Sequence, residues 1–262
     1  MNGVGDGSTG LPWTVRLPGV YRPQEDTALL IEALRARPMT AATSVLDVCT
    51  GSGAVAVAAA AAGSRHVIAV DVCRRAVWTA RCNALLHGHR CVDVRRADMT
   101  DPRAAGRFDL IVCNPPYVPT PPASRTRGAE QAWNAGATGR ALLDPLCTRL
   151  PSMLTNEGRL LIVQSECADI DRTVALLARR CADARVVARR RIPFGPVMSA
   201  RSGYLERAGL LPDPAARPGV ETEEIVVVEA VKTARRPSHS AAVRDGAPAR
   251  LTTALQPRAV RG

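Results

Sequence analysis

Asn114, Pro115, Pro116 and Tyr117 are residues whose types and spacing suit one kind of chemistry. They follow the apolar run Phe108 to Cys113, which reads as a buried strand. Each proline fixes φ and removes a backbone donor. The residue before each proline is pushed toward extended backbone. The result is a stiff platform at a strand end, with an amide side chain and backbone carbonyls pointing outward. Such a platform can grip a planar –NH2 group. The Asn114 side-chain oxygen and the Pro115 carbonyl accept its two N–H bonds, and Tyr117 packs over its flat face. Holding an amide or amino nitrogen this way aims its lone pair at an electrophile, which is catalysis by positioning. The plainer alternative is a rigid turn that caps a strand.

A second segment supplies a place for the electrophile. Ser44 to Val57 reads SVLDVCTGSGAVAV: a short apolar strand, an acid, a Gly-rich turn and an Ala/Val helix. Gly51, Gly53 and Ala56 fill the G-x-G-x-x-G/A pattern. In that pattern the first glycine allows a tight turn, the second lets a cofactor approach the backbone, and the third small residue lets helix and strand pack closely. The fingerprint alone fits a nicotinamide enzyme equally well. Asp47, read as part of the turn, tips the balance, because a carboxylate there repels a pyrophosphate. S-adenosylmethionine has no phosphate, and its cationic aminoacyl end favours a nearby negative charge.

Two further acids complete the set. His66 to Val72 reads as a second strand ending in Asp71, ~20 residues past the first glycine, where an acid bonds ribose hydroxyls. Val92 to Asp98 reads as a third strand ending in Asp98, where an acid can accept the adenine amino group. Each acid alone fits a capping or solvated-loop role equally well. The ordered series of Gly-turn, Asp71, Asp98 and Asn-Pro-Pro-Tyr is far more specific than its parts.

That series resembles the class I S-adenosylmethionine-dependent methyltransferases. More narrowly, the chain is similar to the HemK-type glutamine N(5)-methyltransferases, in the short branch without a separate N-terminal helical domain. The resemblance runs from about Val20 to Lys232. It also rests on Gly19 to Leu34 (GVYRPQEDTALLIEAL), Asn114 to Pro122 (NPPYVPTPP) and Glu130 to Asp144 (EQAWNAGATGRALLD). The family usually carries Gly where this chain has Cys49. The resemblance implies that Glu25, Asp26 and Thr27 begin a helix over the cofactor, although Asp26-Thr27 also reads as a plain helix start. It implies that Asp47, Cys49, Gly51 and Gly53 lie at the methionine end of S-adenosylmethionine, and Asp71 at the ribose. Asp98 and the backbone at Met99 fall at the adenine, and Asn114 to Tyr117 hold the target amide. No metal and no covalent nucleophile are implied.

The elements that must position these residues follow from the pattern. Strands alternate with helical stretches, as in a doubly wound α/β sheet. A helix is expected around Gly139 to Leu150, a strand at Gly158 to Gln164 and a helix at Ile170 to Ala182. A last pair of strands is expected at Val186 to Ile192 and Glu224 to Ala230. The resemblance makes this a Rossmann-like, mostly parallel seven-stranded sheet with an antiparallel C-terminal hairpin. The link Pro193 to Glu223 is expected to carry a short helix near Tyr204 to Leu211, and of two readings, cleft wall or surface insertion, the insertion is favoured. Residues 13–232 are expected to form the methyltransferase domain. Residues 1–12, Gly-rich, and residues 233–262, rich in Pro, Ala, Ser and Arg, read as tails.

The chain has 262 residues, 46% hydrophobic, enough for a substantial core. Its formal net charge of +11 raises nucleic acid as a partner. Residues 232–262 hold seven basic residues and one acidic residue, leaving +5 for the rest. Arg189-Arg190-Arg191 suits RNA contact or, more simply, a solvated strand end. Eight cysteines without a C-x-x-C pair argue against a zinc site or disulfide framework and for a reducing cytoplasm. No apolar run is long enough for a signal or a membrane helix. The sequence therefore points to an S-adenosylmethionine-dependent methyltransferase acting on a planar nitrogen. The first target is a protein glutamine amide, with the Gly-Gly-Gln loop of a translation release factor as the substrate the resemblance implies. The alternatives are an exocyclic adenine nitrogen in DNA or RNA, or a small molecule. The resemblance also implies a small zinc-ribbon activator protein as a partner, seated on an apolar surface.

Overall fold

The computed structural model describes residues 10–101, 106–122, 130, 132–211 and 221–232. Seven strands form one sheet: β1 (Ser44–Val48), β2 (His66–Asp71), β3 (Val92–Arg96), β4 (Phe108–Cys113), β5 (Leu154–Ser165), β6 (Asp183–Pro193) and β7 (Thr222–Val231). Their order is β3-β2-β1-β4-β5-β7-β6. The β1 to β5 pairings are parallel, and β7 runs antiparallel to β5 and β6. This is the Rossmann-like sheet with a terminal hairpin that the sequence led us to expect.

The central strands are apolar almost throughout, because a parallel sheet is covered on both faces. Alternate residues go to opposite layers. Leu46, Val48, Ile68, Val70, Ile111 and Cys113 point to the face covered by α4 (Leu143–Arg149) and α5 (Ile170–Ala178). Val45, Val67, Ala69, Leu110 and Val112 point to the face covered by α1 (Glu25–Arg35), α2 (Ala54–Ala61) and α3 (Arg74–Leu86). Fully burying one such Leu or Val stabilises by roughly 1.5–3 kcal/mol. The Ala-rich surface of α2 lets that layer lie close to β1.

Some boundaries move for physical reasons. Asp47 is inside β1, paired with Ala69 and Val112, and not in the turn. The third strand stops at Arg96, so Asp98 lies two residues past it, in a turn closed by Thr100 N–H donating to Asp98 Oδ1. The helix expected from Gly139 begins at Leu143, since Gly139 has φ +73. The helix expected to reach Ala182 ends at Ala178. The β6–β7 link carries two short helices, α6 (Pro196–Ser199) and α7 (Ser202–Arg207). It is not a plain surface insertion: Met198 and Leu205 are buried with Val118 and Cys167 in a third apolar cluster, with Trp133, Phe194 and Tyr204 packed on it. The tails expected at 1–12 and 233–262 lie outside the described residues, except 10–12. There Arg35 donates to the Gly10 carbonyl and Leu11 packs on the α1 layer.

Candidate active site

A cavity of about 910 Å³ opens at the carboxyl ends of the parallel strands. This is where the strand order reverses, between β1 and β4, the usual place for a ligand in an open α/β sheet. Thr27, Asp47, Cys49, Gly51, Asp71, Asp98, Met99 and Asn114 to Tyr117 all line it.

The first half of the site is the turn after β1. Cys49 has φ +59, a left-handed backbone that glycine adopts without strain and cysteine does not. The turn is then pinned from three sides. Thr50 N–H donates to the Val70 carbonyl at 3.0 Å. Gly51 N–H donates to Asp71 Oδ2 at 3.0 Å. Asn83, fully buried in α3, donates to the Ser52 carbonyl at 2.8 Å. Asp47 is 1% exposed and takes Thr50 Oγ1 at 2.5 Å and Ala56 N–H at 3.1 Å, both on Oδ2. It therefore clips the turn to the start of α2. Burial pushes its carboxyl up to about 7, against the pull of those two bonds.

The two glycines do different work. A Cβ on Gly51 would meet nothing nearer than 4.0 Å, so its backbone is open to a ligand. A Cβ on Gly53 would sit 2.9 Å from Ala80 Cβ. Gly53 is thus required by the approach of α3, and it does not line the cavity.

Asp71 ends β2 and also accepts from Cys73 N–H at 2.8 Å. Burial raises its carboxyl, and the backbone N–H bonds oppose that rise. A carboxylate has about four acceptor positions, so the backbone bonds do not use up its capacity for a ligand's hydroxyl. Asp98 is exposed at the rim, Met99 is buried beneath it, and Ala97, Leu142 and Leu146 add apolar walls. An open backbone at Gly51, an acid at Asp71 and an apolar slot beside Asp98 fit the aminoacyl, ribose and adenine parts of S-adenosylmethionine.

The second half is built around Asn114, which follows the fully buried Cys113. Its Nδ2 donates to Asp26 Oδ2 and to Thr27 Oγ1, each at 3.2 Å. Tyr117 and Tyr21 donate their hydroxyls to the same Asp26 oxygen at 3.0 and 2.9 Å. Burial, and then the charge of Asp26, hold both phenols well above their ordinary range. Behind Tyr117, the chain from Val118 pairs with the segment around Asn134. Val118 N–H donates to the Trp133 carbonyl, and Ala135 N–H to the Val118 carbonyl. Gly139 presses so close that a Cβ would fall 2.3 Å from the Tyr117 carbonyl.

Arg201, at the start of α7, closes this half. It donates to the Pro119 carbonyl at 2.9 Å and to Asn134 Oδ1 at 2.5 Å. Burial lowers its guanidinium below the usual range. The β6–β7 link thereby supplies a cavity wall of Pro196, Val197 and Met198. Arg190, read as part of a solvated run, pairs with Glu25 at 2.8 Å and Glu32 at 2.7 Å and ties β6 to the start of α1. Sequence reasoning quoted Tyr21 within the segment Gly19 to Leu34 but gave it no role, and it did not reach Asn83 or Arg201. The one available signal was a buried-type polar residue in an apolar helical stretch, at Asn83.

The methyltransferase small domain family matches residues 13–191. The chain belongs to this family. Its relatives place it with the HemK-like methyltransferases. It is 30% identical to a putative protein N5-glutamine methyltransferase of Methanocaldococcus jannaschii, over 69% of this chain and 90% of that one. It is 37% identical to the methyltransferase HEMK2 of Mus musculus, over 55% of this chain and 71% of that one. It is 33% identical to a release factor glutamine methyltransferase of Mycolicibacterium smegmatis, over 60% of this chain and 58% of that one. A putative RNA methyltransferase from Pyrococcus horikoshii shares the fold, with a TM-score of 0.54, 13% identity and 82% and 87% of the two chains covered. This HemK-like protein is therefore a methyltransferase, and its class I fold implies S-adenosylmethionine as the methyl donor. Among its described residues no helix is long and apolar enough to cross a membrane.

Proposed function

We propose that the protein methylates the side-chain amide nitrogen of a glutamine in another protein, with a translation release factor as the first candidate. The observation that carries this reading is the Asn114 platform, held beside the cavity with its amide NH2 turned toward α1. The relatives named as glutamine methyltransferases support it.

In this reading Thr27, Asp47, Cys49, Gly51, Asp71, Asp98 and Met99 bind the donor. Gly53 supports them by letting α3 approach. Bound S-adenosylmethionine supplies a methyl group on a sulfonium, open to in-line displacement. The chain's own residues deal with the harder partner, since an amide nitrogen is a poor nucleophile with a delocalised lone pair. Asn114 Oδ1 and the Pro115 carbonyl accept the two amide N–H bonds and return electron density to nitrogen. Pro116 stiffens the turn. Tyr117 packs on the amide face and fixes its plane. The wall of Pro196, Val197 and Met198 keeps water away, and the amide proton leaves to solvent after transfer.

The same reading includes a small zinc-ribbon partner. What supports it is an exposed apolar surface of Trp78, Leu85 and Leu86 on α3 beside Trp13, Val15 and Leu17. The test of function is radiolabelled methyl transfer into an extract of cells lacking this protein, followed by mass spectrometry of the labelled band. Label on a glutamine supports the proposal. Label lost to nuclease moves the target to adenine, and label only in small molecules removes the protein substrate.

A further inference from the structure

Asp26 is 4% exposed and sits at the start of α1, 88 residues before Asn114. Its two oxygens take five bonds. Oδ2 takes the hydroxyls of Tyr21 and Tyr117 and the Nδ2 of Asn114, while Oδ1 takes Thr27 N–H at 2.5 Å and Thr27 Oγ1 at 3.1 Å. Each of the five bonds is donated to it, so Asp26 is the acceptor at the centre of the cluster. The direction of each bond is then fixed. Both tyrosines donate. Thr27 gives its hydroxyl hydrogen to Asp26 and offers a lone pair to Asn114, the second acceptor of Nδ2.

An asparagine's oxygen and nitrogen are distinguished by the partners around them. At Asn114 both nitrogen-side partners are acceptors, so the nitrogen belongs toward α1 and the oxygen is left for the cavity. We infer that Asp26 is a positioning residue that sets which end of the Asn114 amide meets the target nitrogen. The reverse orientation would set an NH2 against the substrate's NH2, two donors face to face, and would turn the carboxamide oxygen onto a carboxylate. The same carboxylate holds the Tyr117 hydroxyl, so one charge fixes both ends of the four-residue platform. This deepens the proposed function and rests on its –NH2 target. A role in merely starting α1 would need neither tyrosine nor Asn114.

The test is Asp26→Asn, which keeps the size and puts an NH2 where donors converge. With purified release factor and radiolabelled S-adenosylmethionine, kcat should fall about a hundredfold, the scale of losing one preorganised group at a reacting centre. The cofactor dissociation constant should stay within about threefold and Tm within a few degrees, as a positioning role requires. A structural role would move all three together. A kcat equal to wild type would overturn the inference. Independently, the Asn114 side-chain amide of 15N-labelled wild type, assigned by its disappearance in Asn114→Ala, should exchange slowly with solvent. Exchange at the rate of a free amide would also overturn the inference, and this measurement decides if Asp26→Asn does not fold. If wild type labels no glutamine, the functional reading fails, and the amide measurement still judges Asp26.

Discussion

The two halves of the cavity are built in different ways. The cofactor half draws Asp47, Gly51, Asp71 and Met99 from the consecutive units β1–α2, β2–α3 and β3. Asp47 lies inside β1, Asp71 ends β2, and Gly51 and Met99 lie in the turns past β1 and β3, with the strand ends in register, as with Val48 beside Val70 and Cys113. The substrate half draws Asp26 from the start of α1, Asn114 from the end of β4, Asn134 from a loop and Arg201 from the β6–β7 link. Its decisive bonds span 88 residues for Asp26 to Asn114 and 67 for Arg201 to Asn134. One half is a property of strand register, which the backbone ladder sets. The other is a property of side chains meeting across the fold. The first should tolerate damage to the second.

Asn114→Ala is the largest test of that separation. Turnover should fall about a thousandfold, the upper range for removing one preorganised group, while the cofactor dissociation constant in calorimetry changes less than about threefold. Parallel loss of both would mean that the halves are one unit. Gly139→Ala attacks the substrate half through its support. A Cβ 2.3 Å from the Tyr117 carbonyl, at φ +73, forces the loop to move. We expect about 3 kcal/mol of lost stability in denaturant melts, with the folded fraction still binding cofactor. Unchanged stability would show that the loop has slack.

Asp71→Asn runs the comparison in reverse. It keeps the shape, but the Gly51 and Cys73 N–H bonds, which go to different oxygens, both lose a charged acceptor and one of them meets an NH2. Cofactor binding should weaken by about 1–3 kcal/mol, with kcat at saturating cofactor close to wild type. A collapse of kcat would tie the halves together.

The pH dependence sharpens the cofactor half alone. Asp47 has a carboxyl raised to about 7 by burial. Pairing with a cationic ammonium favours its ionised form, so affinity is complete above that value. As pH falls below it, binding must first remove a proton and weakens by about tenfold per pH unit. Calorimetry between pH 5.5 and 8 checks this, and a flat profile would remove Asp47 from the contact. The smallest effect is expected at Cys49→Gly. Relief of the left-handed backbone, about 1 kcal/mol, is offset in part by glycine's greater freedom when unfolded. Tm should rise slightly or hold, and a marked fall would mean that the Cys49 side chain packs more than it strains.

How much was legible follows the same division. The strand from Phe108 to Cys113 and the end at Asp71 were readable, because a buried parallel strand is an apolar run closed by a polar or glycine residue, whereas the end of β1 was read before Asp47 and lies at Val48. The Gly-rich turn was readable for the same reason, although Gly53 serves α3 and not the cavity. Asp47 was assigned to the turn because it is charged, and a charge inside a buried strand is rare. Its bonds to Thr50 and Ala56 are what make that place tenable. The β6–β7 link had no period to read, so nothing in it signalled that Arg201 reaches the loop behind Tyr117.

By itself the sequence determined the order of elements, and the resemblance carried by its motifs supplied the sheet and the family. The order of elements depends on local backbone preference and on which residues shun water, and both act over a few neighbouring positions. The tertiary structure decided which carboxylate holds which donor. Asp26 could as well have capped its own helix, and only the packing of α1 across the end of β4 brings it to Asn114 and Tyr117. A hydrogen bond needs its partners within about 3 Å, and no spacing along the chain encodes that approach.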